Sequence, residues 1–130
     1  MSSLSDKKRI LVVDDEAHIL HVVSLKLRNA GYEVITAGDG EEAFDLAMQQ
    51  SPDLIITDLQ MPFMSGLELC ERLKQQEATA DIPALMLTAR GFSLTQDDLA
   101  RTNIVAVFSK PFSPREVLGK VQQMIHAATA

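Results

Sequence analysis

The feature that most constrains this 130-residue chain is an alternation, five times over, of a short apolar run with an amphipathic stretch. The runs fall at residues 10–13, 34–35, 54–56, 84–87 and 104–108. Near-continuous apolar runs of this length, bounded by loops, read as strands covered on both faces. Helical spacing recurs between them. Ile19, Leu20, Val23 and Leu27 share one face, with Gly31 as the stop. Residues 41–50 put Ala43, Leu46 and Ala47 on one side before Pro52 blocks continuation. Ser65 and Glu68 make a capping-box pattern ahead of Leu69, Cys70 and Leu73. Ser113-Pro114-Arg115-Glu116 makes a clearer one ahead of Val117, Leu118, Val121 and Ile125. The fourth helix, near residues 95–101, has the weakest signal. It is short and polar, with Leu99 as its one strong apolar anchor and Asn103 as a closing residue that tolerates the left-handed conformation. Strand then helix, repeated five times, predicts an α/β fold. The expectation is a single doubly wound, five-stranded parallel sheet with five helices on its two faces, in three layers.

A chain of this length buries enough surface to fold without disulfides or a structural metal. Its lone cysteine excludes an internal disulfide framework, and Cys70 between Leu69 and Glu71 reads as core filler. Twelve Lys and Arg stand against 18 Asp and Glu, a net charge of −6 that repels a phosphate backbone. With no recognition helix either, direct nucleic-acid binding by this domain is not expected. The longest apolar run has five residues, against the roughly 18 that a membrane span needs. The polar start followed by only four apolar residues is no signal peptide. A soluble, intracellular domain is expected. There is no Walker loop and no Gly-x-Gly-x-x-Gly, so nucleotide binding has no support.

In open parallel sheets, ligands bind at the carboxyl ends of the strands. Here the first run ends in Asp14-Asp15-Glu16, the third in Asp58, the fourth in Thr88 and the fifth in Lys110. Three of these carboxylates (Asp14, Asp15 and Asp58), a hydroxyl and an ammonium would converge on one edge. Two like charges ~4 Å apart repel by about 4 kcal/mol at an effective dielectric near 20. Carboxylates so placed need a cation to stay ionised together. Lys110 is one candidate and Mg²⁺, which suits an all-oxygen site with open positions, is the other. Each residue has an ordinary reading as well. Asp14 or Asp15 would cap the first helix, Asp58 would be a turn carboxylate before Pro62, Thr88 a strand-end hydroxyl and Lys110 a surface charge. Four complementary polar ends on four core strands set them apart from that reading. His18 and His21, three apart on the first helix, lack further metal ligands nearby in sequence and read as solvated.

Four segments carry a family likeness: residues 11–16 (Leu-Val-Val-Asp-Asp-Glu), 57–62 (Thr-Asp-Leu-Gln-Met-Pro) with Gly66, 87–89 (Leu-Thr-Ala) and 109–112 (Ser-Lys-Pro-Phe). Together they resemble the receiver domain of two-component response regulators, and residues 38–43 match the join between its second strand and second helix. The likeness covers residues 8–127, with short tails at 1–7 and 128–130. It implies a flavodoxin-like strand order 2-1-3-4-5. It also implies that Asp58 is the phosphoacceptor, attacking a phosphohistidine or a small phosphodonor to form an acyl phosphate. Asp15, Asp58 and the backbone carbonyl of Gln60 would hold Mg²⁺, with Asp14 helping through water. Lys110 would pair with Asp58 and then with the phosphoryl group, Thr88 would hydrogen-bond a phosphoryl oxygen, and small Ala89 would leave room for it. The Lys110–Pro111 bond is expected to be cis.

The implied partners are a sensor histidine kinase or phosphotransfer protein, and an output protein or an effector domain outside this sequence. Such a chain would be a cytoplasmic signalling module that catalyses its own phosphorylation and dephosphorylation and acts on no outside substrate or membrane. Two positions depart from the family pattern. Val107 stands where an aromatic residue is usual, and Asn103-Ile104 where Gly-Ala is usual. Val107 is short and stiff, and Phe108 points to the opposite face, so output is expected to leave mainly through residues 89–103.

Other functions on this architecture fit less well. A flavin mononucleotide carrier would meet repulsion between its phosphate and Asp14-Asp15-Glu16. A haloacid-dehalogenase-like phosphatase needs Asp-x-Asp after the first strand, where this chain has Asp-Asp-Glu. The complete acidic set argues against a receiver that has lost its chemistry.

Overall fold

The computed structural model describes residues 7–89 and 94–129, the side chains of 127–129 excepted. Five strands and five helices alternate: β1 (Arg9–Val13), α1 (Ala17–Asn29), β2 (Glu33–Ala37), α2 (Gly40–Gln50), β3 (Leu54–Asp58), α3 (Gly66–Lys74), β4 (Ala84–Thr88), α4 (Gln96–Ala100), β5 (Ile104–Ser109) and α5 (Pro114–Thr129). The strands form one sheet in the order β2-β1-β3-β4-β5, every pair parallel. Both the architecture and the strand order match the sequence expectation. The expected tails fall largely outside the described residues, as do residues 90–93 in the expected output segment.

The apolar runs are continuous because the inner strands are covered twice. Ile10, Val12, Leu54, Ile56, Leu85 and Leu87 pack on one face against Val23 and Leu27 of α1 and Val117, Val121 and Ile125 of α5. Leu11, Val13 and Ile55 pack on the other against Ala43 and Ala47 of α2 and Leu69 and Leu73 of α3. Cys70 joins Leu59, Ala84, Met86 and Ile104 in the remaining part of that face. Burial, with Glu71 beside it, pushes the Cys70 thiol up to about 12, so it is the core filler expected.

The edge strand β5 alternates instead. Ala106 and Phe108 face the α1–α5 core, while Val105 and Val107 stand exposed. The pairing with β4 slips by one residue, from Ala84 opposite Ile104 to Leu85 opposite Ala106, which leaves Val105 as a bulge.

Polar and left-handed residues set the helix ends. Beyond α1, Gly31 (φ +100) donates its N–H to the Arg28 carbonyl at 3.0 Å and Tyr32 to that of Leu27 at 3.2 Å. This is the Schellman arrangement, which satisfies carbonyls the helix leaves open. Asp39 caps α2 by accepting the Glu42 N–H at 2.8 Å, and Ser65 caps α3 by accepting the Glu68 N–H at 3.1 Å. Among the described residues, two that are neither Gly nor Asn also take positive φ, Ser51 (48°) after α2 and Phe63 (70°) in the β3–α3 loop.

Helix α4 differs from expectation in three ways. Leu99 does not anchor it: that side chain is 40% exposed, and α4 buries no residue. Thr95 and Asp98 hold the helix start through a full capping box, with bonds of 2.9 and 3.0 Å. Its polarity is therefore its means of stabilisation. Arg101, and not Asn103, closes the helix, and Arg101 also pairs with Glu71 of α3 at 2.8 Å. Asn103 instead donates to the carbonyls of Ala80 and Ile82 and accepts from Lys74 Nζ at 2.7 Å. It brackets the loop after α3 to the start of β5.

Candidate functional site

Parallel pairing of β1 with β3 brings their carboxyl ends side by side. Asp14 and Asp15 directly follow β1, and Asp58 ends β3. One carboxylate oxygen from each of the three lies within 4.8 Å of the others. Asp14 and Asp58 are buried, while Asp15 is exposed at the rim. The helix-capping reading of Asp14 and Asp15 fails, because Glu16 occupies the N-cap position of α1. Asp14 Oδ1 accepts the Glu16 N–H at 2.9 Å, which fixes that carboxylate over the strand end.

Lys110, just past β5, completes the cluster. Its Nζ lies 3.2 Å from Asp58 Oδ1, 3.6 Å from Asp14 Oδ2 and 3.2 Å from Glu16 Oε1. Its backbone N–H donates to the Thr88 carbonyl at 2.7 Å, tying the loop to the end of β4, and the Lys110–Pro111 bond is cis as expected. Thr88 is buried, and its hydroxyl has no hydrogen-bond partner among the described residues.

The backbone of Asp58 is held closely. The Thr57 hydroxyl donates to its carbonyl at 3.0 Å. The Leu59 N–H donates to the Leu87 carbonyl at 2.7 Å, and the Gly66 N–H to the Leu59 carbonyl at 2.8 Å. Gly66 presses so near that only a residue without a side chain fits. Gln60 is exposed in the loop two residues beyond Asp58.

Burial dominates the electrostatics. It raises the Asp14 carboxyl to about 6, reinforced by Asp58 and opposed by the Glu16 backbone N–H and by Lys110. Burial also raises Asp58, against the hydrogen bond and charge of Lys110. Burial works to lower Lys110, but Asp14, Asp58 and Glu16 outweigh it and hold the ammonium above its usual range. The residues therefore form a crowded anionic pocket with one built-in cation, electrostatically short of positive charge.

A hard divalent cation fits this donor set. Its ligand atoms are all oxygens, and Asp14 Oδ2 is buried without a hydrogen bond among the described residues. Among the described residues, no other group of three or more His, Cys, Asp or Glu side chains converges in this way. His18 and His21 are exposed on α1 and find no third ligand there.

Sequence reasoning placed Asp14, Asp15, Asp58, Thr88 and Lys110 at one edge, and the structure brings the three carboxylates and Lys110 together there. It missed the attachment of Glu16 to Lys110. The available signal was that Glu is a poor N-cap, which leaves such a side chain free to reach elsewhere.

Comparison with known proteins adds a family. A sequence profile of the response regulator receiver domain matches residues 10–122. Over 126 residues the chain is 42% identical to the alkaline phosphatase synthesis transcriptional regulatory protein PhoP of Bacillus subtilis, covering 91% of this chain and 48% of that protein. Over 118 residues it is 39% identical to the phosphate regulon transcriptional regulatory protein PhoB of Pseudomonas aeruginosa, covering 91% and 52%. The chain thus spans about half the length of these curated relatives. Among solved structures, the chemotaxis response regulator CheY4 of Vibrio cholerae is similar with a TM-score of 0.82 at 35% identity, covering 90% of this chain and 98% of that one.

Proposed function

The chain belongs to the response regulator receiver family, and from that membership we propose that Asp58 is its phosphoacceptor. The observation that carries this is the buried Asp58 carboxylate, 3.2 Å from Lys110 Nζ and grouped with Asp14 and Asp15. An Asp58 oxygen attacks the phosphorus of a phosphohistidine or of acetyl phosphate. The bond from phosphorus to the donor breaks, its electron pair leaves with the donor, and an acyl phosphate remains on Asp58. Such transfer needs positioning and neutralisation of oxygen charge more than covalent chemistry.

The remaining residues divide that work. Lys110 pairs with Asp58 at rest and with the phosphoryl oxygens afterwards. The Thr88 hydroxyl, without a partner among the described residues, is a donor that would meet a phosphoryl oxygen, and small Ala89 would leave room for it. Asp15, Asp58 and the Gln60 carbonyl are the ligands proposed for Mg²⁺, with Asp14 helping through water; the ion when bound would draw charge from the phosphoryl oxygens.

The phosphodonor we propose is a sensor histidine kinase or phosphotransfer protein. A groove of about 520 Å³ supports this, since it is lined by His18, Ile19, Val22, Phe112 and Pro114 together with Lys110 of the site. A donor seated there would present its phosphohistidine at the mouth of the site. The chain would then act on itself, catalysing its own phosphorylation and dephosphorylation, as a cytoplasmic unit of residues 8–127. Its phosphorylated face would serve an output protein or an attached effector domain. No helix among the described residues is long and apolar enough to cross a membrane. Val107 is 41% exposed and Phe108 is turned to the opposite core, so the output route we propose runs through residues 89–103.

Incubation with Mg²⁺ and acetyl phosphate or phosphoramidate, followed by mass spectrometry, tests the assignment. One phosphoryl group is expected on wild type and none on Asp58→Asn. An Asp58→Asn protein modified as fast as wild type would overturn it.

A further inference from the structure

Glu16 occupies the N-cap position of α1 in an extended conformation (φ −91, ψ 110), yet its side chain makes no capping bond. Its backbone is fixed by the bond from its N–H to Asp14 Oδ1, so the side chain projects from a defined point. The carboxylate turns across the site mouth and accepts from Lys110 Nζ at 3.2 Å, a separation equal to that between Nζ and Asp58 Oδ1. A single ammonium is thus shared between the buried floor of the site and its rim, where the Glu16 side chain is 61% exposed. The other neighbour of Nζ, Asp14 Oδ2, is farther away at 3.6 Å and lies on the floor. Glu16 is therefore the contact that draws Lys110 outward.

We propose that Glu16 is a positioning residue for Lys110, and that their contact sets how readily the ammonium passes to a phosphoryl group arriving at Asp58. This rests on the reading of Asp58 as the phosphoacceptor. Lysine carries its charge on a flexible stem with three donors, so a rim partner changes where the charge stands without changing its sign. An exposed ion pair is weak enough to yield to phosphoryl oxygens, yet strong enough to bias the resting position. While it lasts, it withholds part of the one fixed positive charge available to an incoming phosphodonor.

Two substitutions separate contact from charge. Glu16→Gln removes the charge, whereas Glu16→Asp keeps it and shortens the reach by one methylene. With saturating Mg²⁺ and varied acetyl phosphate, both variants are expected to lower the half-saturating donor concentration by about threefold, the scale of one exposed ion pair. The maximal loading rate should stay within about twofold of wild type. Solution NMR of lysine-labelled protein without phosphodonor gives a second readout. The two ε-methylene protons of Lys110 should be distinct in wild type, where the ammonium is pinned, and should shift in both variants, where Asp58 and Asp14 alone hold it.

If Glu16→Asp keeps the wild-type half-saturation while Glu16→Gln does not, the effect is charge alone and the positioning role is overturned. Wild-type kinetics in both variants, or averaged Lys110 protons in wild type, overturn it as well. Those results with normal loading of wild type defeat this inference alone. A wild type that never loads at Asp58 defeats the phosphoacceptor reading together with it.

Discussion

Gly66 stands so close to Asp58 that a Cβ at position 66 would lie 2.2 Å from the Asp58 carbonyl oxygen. The obstructing atom belongs to the backbone at the end of a fully buried strand, so it cannot swing aside as a side-chain tip would. Gly66→Ala must shift the end of β3, at an expected cost of about 1–3 kcal/mol. It should also slow loading at Asp58 in the fraction that remains folded. Gly119 in α5 meets nothing within 4 Å, so Gly119→Ala should add about 0.5–1 kcal/mol by helix propensity. Urea midpoints of the two variants should move in opposite directions from wild type.

Stability should depend on pH with a sign set by Asp14. Its carboxyl rises from 3.8 to about 6 on folding, so between those values the folded form holds a proton that the unfolded form has lost. Stability therefore increases as pH falls through that window and is lower above about 6; the raised Asp58 acts in the same sense. The slope is expected to reach about 1 kcal/mol per pH unit. Thermal melts in chelator should show the melting temperature rising from pH 7 toward pH 5, and Asp14→Asn should flatten the trend. At pH 7 and low salt, millimolar Mg²⁺ should raise the melting temperature, and Asp15→Ala should remove that gain. A wild-type melting temperature indifferent to Mg²⁺ would contradict the proposed metal ligands.

Phe63 is held at φ 70 with its side chain wholly in solvent, so it has left-handed strain and no packing to offset it. Phe63→Gly is expected to stabilise the fold by up to about 1 kcal/mol. Loading by acetyl phosphate should be unchanged. Chemical denaturation of the variant beside wild type checks the sign, and a loss of stability would mean that the ring has a partner.

Asn103→Gly should cost about 1–2 kcal/mol, since it removes donors from the Ala80 and Ile82 carbonyls and the acceptor of Lys74. Hydrogen exchange should quicken in residues 76–82 and leave β1 and β3 unaffected. Uniform quickening across the sheet would show that the bracket is not local.

These cases mark what the amino-acid order reveals. The inner strands were legible because cover on both faces makes them continuously apolar, whereas the edge strand β2 offered only Val34-Ile35 as an unbroken run. The end of α1 was legible because glycine alone suits the left-handed turn at Gly31, but Ser51 and Phe63 take positive φ without a residue type that announces it. Helix α4 was faint because it buries nothing, and its capping box at Thr95 and Asp98 was hidden among polar residues. At the site, Asp14, Asp58, Thr88 and Lys110 were readable because strand ends fix where they stand. The Glu16–Lys110 contact spans 94 residues and depends on how two flexible side chains lie, which no local pattern encodes.

The same emptiness of α4 separates two properties that most helices combine. A helix seated by buried side chains cannot be displaced without opening the core, so its mobility and the domain's resistance to unfolding vary together. The body of α4 buries no side chain: its cap fixes its own first turn, the Arg101–Glu71 pair ties its end to α3, and Leu94 just before it packs on the cluster of Met86, Cys70 and Leu59. Its placement can therefore be retuned by changing a few surface charges, with the melting behaviour of the whole left where it was. Ionic strength should act on that placement more strongly than temperature does.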